Sequence, residues 1–120
     1  MKKMNEMYEV WCGVDYYTQK ELPPIKYYMI CRTTSNVVAY AKLEQAMSLM
    51  KAKSQDPANK DKRFFAYLIH IDLTSVLYYL DEENNAIPRY ESHCVDWFNY
   101  SQREDVKLWK IVDGVKYDED

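Results

Sequence analysis

Between Arg63 and Leu73 the sequence is apolar on both faces of an extended backbone, and no other stretch constrains the fold as much. Phe65, Tyr67, Ile69, Ile71 and Leu73 fall on one side of a strand. Phe64, Ala66 and Leu68 fall on the other, followed by His70 and Asp72. A strand with one face in water alternates apolar with polar residues; one buried on both faces reads as a continuous apolar run. The expected element is therefore a central strand whose first half is covered above and below.

The flanking segments supply its neighbours. Met7–Tyr17 alternates, with Tyr8, Val10 and Cys12 on one face and Glu9 and Trp11 on the other, and Gly13 marks a bulge or a close approach of backbone. Pro23-Pro24 predicts an extended turn. Ile25–Arg32 predicts a second strand, with Tyr27, Met29 and Cys31 as its core face and Lys26, Tyr28, Ile30 and Arg32 pointing away. Thr33-Thr34-Ser35-Asn36 is a run of helix-capping residues. The Val37–Lys53 segment behind it repeats Tyr40, Leu43, Met47 and Met50 at helical spacing, with Ala46 beside them, and Pro57 prevents a simple continuation.

Beyond Leu73, Val76–Leu80 reads as a strand, although a short helix from Thr74 or Ser75 competes with it. Asp81–Asn85 reads as a turn, and Ala86–Glu91 as a strand kept at an edge by Pro88. Val95–Ser101 is expected to form a short helix or an irregular packed segment, and Val106–Val112 a last strand ended by Gly114. The class is α+β: one domain over 1–120, a mostly antiparallel sheet of five or six strands with one main helix on one face, and fraying at about 1–5 and 115–120.

Composition removes several functions. The formal charge of −3 lacks the basic excess of a general nucleic-acid binder, and the basic stretch Lys51–Arg63 reads as a solvated loop. No apolar window of about 18 residues predicts a membrane helix. The N-terminus lacks the apolar run of a secretory signal. Cys12, Cys31 and Cys94 are odd in number and widely spaced, so reduced thiols and a cytoplasmic location are expected. With Gly13 and Gly114 as its only glycines, the chain has no phosphate-cradling loop.

Reactive groups are sparse. Cys12, Cys31, His93 and Cys94 show no zinc-ligand spacing, so neither a metal nor a cofactor is expected. His70 and Asp72 share a strand face and form the candidate general-base pair of a small enzyme; a polar strand end is the simpler reading. Arg32-Thr33-Thr34-Ser35 could hold an anion at a helix start, but fits a routine cap.

Tyrosine carries the positive signal. Of twelve, six form the pairs Tyr16-Tyr17, Tyr27-Tyr28 and Tyr78-Tyr79, and a pair in a strand sends one ring to each face. Tyrosine and tryptophan anchor protein interfaces because they join a large apolar area to a polar end. The expectation is a non-catalytic domain that binds another protein through Tyr28, Arg32, Tyr79 and Trp109. It would be an inhibitor or adaptor, for example a mobile-element protein that blocks a host nucleic-acid-handling enzyme. A homodimer is compatible with the sequence. The alternatives are the His70–Asp72 enzyme and a weak RNA or single-strand binder that uses ring stacking.

Overall fold

The computed structural model describes residues 5–16, 26–104 and 107–118. They form one antiparallel six-stranded sheet in the order β2-β1-β3-β4-β5-β6, with one helix packed on one face. The strands are β1 (Glu6–Tyr16), β2 (Lys26–Thr33), β3 (Lys62–Leu80), β4 (Ala86–Tyr100), β5 (Trp109–Val112) and β6 (Val115–Asp118); the helix α1 spans Asn36–Ser54. This is the α+β architecture that the periodicity predicts. The Pro23-Pro24 turn lies outside the described residues, as do 1–4, 119 and 120 of the segments expected to fray.

β3 is interior, between β1 and β4, and its first half is buried on both faces. Phe64, Ala66 and Leu68 join Val10 and Cys12 of β1 beneath Ala39, Leu43, Ala46 and Met50 of α1. Full burial of a side chain such as Leu68 or Val10 stabilises the fold by roughly 1.5–3 kcal/mol. Ser35 caps α1, its hydroxyl accepting from the Val38 N–H, and Lys51 and Lys53 in the last turn suit the negative end of the helix dipole.

On the face without a helix, Phe65 is 1% exposed. It lies opposite Gly13, where a Cβ would come within 2.7 Å of the Phe65 ring and would also strike the Lys26 carbonyl. Gly13 thus marks a close approach: the ring occupies the space a side chain would need.

Three segments differ from expectation. The stretches read as separate strands at 63–73 and 76–80 form one strand, β3. Its pairing with β4 slips between Asp72 and Val76, where the Asp72 carboxylate accepts from the Thr74 amide and hydroxyl. Val95–Ser101 is not a helix; residues up to Tyr100 continue β4, because alternation sends Trp97 to the open face and Phe98 and Tyr100 toward α1. Val115–Asp118, where no element was expected, pairs with β5 through an Asp113-Gly114 turn whose φ values of 50° and 80° are those of a tight hairpin.

The second strand also differs. A register shift opposite Val10 and Trp11 places Cys31 against the α1-side core, while Tyr27 and Met29 face Gly13 and Trp11 on the open side. Tyr28, expected to point away from the core face, lies opposite Cys12 and so points to the α1 side.

Replacing Gly13 with alanine should lower the unfolding free energy by about 1–3 kcal/mol. Gly114→Ala meets no neighbour and should cost only the ~1–2 kcal/mol of left-handed backbone. Denaturant titration of both variants checks this; an unchanged midpoint for Gly13→Ala would remove the close packing of Phe65 from the account.

Candidate docking surfaces

Two surfaces stand out, an aromatic face and a projecting ribbon. The first follows from strand register. Trp11 of β1 lies opposite Tyr67 of β3, which lies opposite Trp97 of β4. Their rings stack: Trp11 and Tyr67 are tilted by only 5°, and Tyr67 and Trp97 lie 4.4 Å apart and 10° from parallel. Trp97 also stacks on Phe65 and on Trp109 of β5, and Tyr27 of β2 meets Phe65 edge-on. The row thus crosses the sheet from β2 to β5.

Polar ends fix this row. The Trp11 and Trp97 indole N–H groups donate to Glu9 (3.1 Å) and Asn99 (2.8 Å). Asn99, 4% exposed, donates in turn to the Trp109 carbonyl at 2.7 Å. Glu9, 8% exposed, also receives Arg32 at 2.8 Å. Lys116 sits over Trp109, 5.1 Å from the ring centroid. Trp11, Tyr27, Tyr67, Ile69 and Trp97 line a depression of about 550 Å³. Burial pushes the Tyr67 phenol up to about 12 and the Cys94 thiol beside it up to about 11.

The second surface lies past the slip at Asp72. There, among the described residues, β3 and β4 leave the other strands and pair only with each other, as Val76–Leu80 against Ala86–Tyr90. Val76, Leu77, Tyr78, Tyr79, Leu80 and Tyr90 are 41–70% exposed. Pro88 lies in this ribbon, where β4 has β3 as its sole partner among the described residues, the edge position expected for proline.

The four sequence-derived anchors are dispersed. Tyr28 points to the α1 side of the sheet, opposite Cys12, whereas Arg32 and Trp109 lie on the open face through Glu9 and Trp97. Tyr79 belongs to the ribbon. Tyr27, Tyr28, Tyr78 and Tyr79 are each about half exposed or more, so two of the tyrosine pairs present a ring on each face.

The reactive candidates are held by ordinary structural contacts. The His70 ring lies 5.2 Å from Tyr8 and 5.1 Å from His93, with Nε2 3.7 Å from Glu6. Asp72 lies beyond it, held below the usual carboxylate range by the Thr74 hydrogen bonds. Arg32 lies across the sheet from His70, because it pairs with Glu9 while His70 faces Tyr8. In the capping segment the Thr33 hydroxyl accepts from the Ser35 amide and the Ser35 hydroxyl from Val38. Among the described residues, no three His, Cys, Asp or Glu side chains gather as metal ligands, and no helix is long and apolar enough to cross a membrane. Comparison with family models, with curated proteins and with solved structures finds no match.

The aromatic face is not legible as a unit in the sequence because its members come from five strands. Its traces in the sequence are local: Glu9 and Trp11 share one strand face, and Phe65 and Tyr67 share another. Because the fold favours neutral Tyr67 and Cys94, the unfolded chain ionises first as pH rises. The stability these two groups contribute should therefore be fully present below about pH 9 and be lost between about pH 9 and 12. Thermal melts across that range should show Tyr67→Phe losing less than the native chain; equal losses would separate Tyr67 from the alkaline transition.

Proposed function

We propose that this chain works by binding another protein, without chemistry of its own, and that the open aromatic face is where the partner docks. One observation carries the reading: a sheet covered by a helix on one side presents a continuous row of tryptophan and tyrosine rings on the other, with a depression along it. Interfaces concentrate their energy in such residues, and half-buried, mutually stacked rings lose little further freedom when a partner covers them. Tyr27 and Met29 at the β2 end are 49% and 46% exposed, and extend the row with side chains not yet covered. The net charge of −3 favours a protein over a nucleic-acid strand as occupant. An inhibitor or adaptor would use a surface of this kind.

The test is capture of a partner from host lysate by the tagged chain. Tyr27→Ser with Met29→Ser should weaken capture at least about tenfold, as loss of an interface anchor does. Glu44→Ser with Gln45→Ser on the exposed side of α1 should leave it unchanged. Equal capture by both variants would remove the aromatic face from the function.

A further inference from the structure

The ribbon and the far end of the molecule are opposite in charge. Residues 72–91 hold Asp72, Asp81, Glu82, Glu83 and Glu91 against Arg89 alone, a formal −4, which leaves +1 for the rest of the chain. The carboxylates lie at the two ends of the ribbon. Asp72 faces Glu91, and Asp81, Glu82 and Glu83 form the tip, with the exposed apolar residues between. At the other end of β3, where α1 ends and β3 begins, residues 51–63 hold Lys51, Lys53, Lys60, Lys62 and Arg63 against Asp56 and Asp61, a formal +3.

A groove opens beside that basic end. Between β2 and α1 lies a depression of about 470 Å³ with Val14, Tyr28, Ile30, Leu49, Met50 and Phe64 among its walls and Lys26 and Lys53 among its charged residues. Tyr28, Ile30 and Leu49 are 55%, 42% and 49% exposed. An apolar groove with ammonium groups complements an apolar ribbon with a carboxylate tip, and it has room for a large side chain such as Tyr78 or Leu80.

We infer that the chain pairs with a second copy of itself, each copy seating its ribbon in the other's groove between β2 and α1. β3 begins at the groove end, where Phe64 lines the depression, and finishes in the ribbon. Two copies side by side and antiparallel therefore bring each ribbon to the other's basic end, and a two-fold axis closes the pair without a filament. Ribbon against ribbon is disfavoured, because it would put −4 against −4. The six exposed ribbon side chains offer on the order of 700 Å² if an aromatic side chain has ~150–250 Å². Half of that buried in two reciprocal contacts, with matching groove area, reaches about 1,400 Å², within the range of stable interfaces. The pairing leaves the aromatic face free and stands independently of the partner proposed for it.

Sedimentation velocity of the full chain tests the pairing. A dimer is expected at micromolar concentration, weakening at least about tenfold from ~0.05 to ~0.5 M salt. Tyr78→Ser with Leu80→Ser should give monomer, as should Glu82→Lys with Glu83→Lys, and Lys26→Glu with Lys53→Glu. Mixing the last two variants should restore a dimer, since each ribbon then meets a groove of opposite charge. These positions are exposed, so the variants should keep the native circular-dichroism spectrum, with the melting temperature lowered only by the lost pairing and, for Lys53→Glu, by the reversed charge at the end of α1. A native chain that stays monomeric to about 100 μM, a dimer indifferent to the ribbon changes, or a mixture that fails to pair would each overturn the inference.

Discussion

The structure depends on the packing of β3 against apolar groups on both sides at once. Phe64, Ala66 and Leu68 hold α1 to the sheet, while Phe65 rests over Gly13 on the opposite face. A sheet must bury an apolar face against something. Here a helix covers one face, and the other is covered in part by its own rings standing in a cross-strand stack. The second solution leaves those rings partly in water, because none of the other described residues closes over them.

The polar groups follow from this arrangement. Glu9 and Asn99 are nearly buried, and each accepts an indole N–H from a neighbouring tryptophan; Arg32 and the Trp109 carbonyl satisfy them further. On the α1 side Asp96, 4% exposed, receives the Asp113 amide, tying the β5–β6 turn to β4. Hydroxyls that could have served an anion site are engaged in capping. What the fold leaves uncovered among the described residues is apolar surface, along the aromatic row and on the ribbon.

The lengths of β3 and β4 give the molecule its polarity. Both strands run past the sheet that supports them, and an isolated two-stranded ribbon with uncovered side chains is marginal in water. Acidic residues at its tip and base keep it hydrated while the opposite end carries lysines. The same division of charge underlies both the solubility of the exposed ribbon and its fit to a basic groove.

Periodicity along the chain determined the class, the helix, the double-sided strand and the edge placement of Pro88, because each depends on residues close in sequence. The Asp81–Asn85 turn was equally local, resting on Asn84 in the left-handed region at φ 63°. The fusion of two strands into β3, the extension of β4 through Trp97 and Phe98, and the pairing of β6 were decided by partners distant in sequence, which override local preference. The same holds for the sites. The tyrosine pairs announced two-sided ring exposure, but whether Tyr28 and Trp109 shared a surface depended on the register shift in β2 and on the order of six strands. Side-chain direction along an unbroken strand is fixed by counting residues; a bulge such as that in β2, and which strands become neighbours, are fixed only when the whole sheet closes its hydrogen bonds.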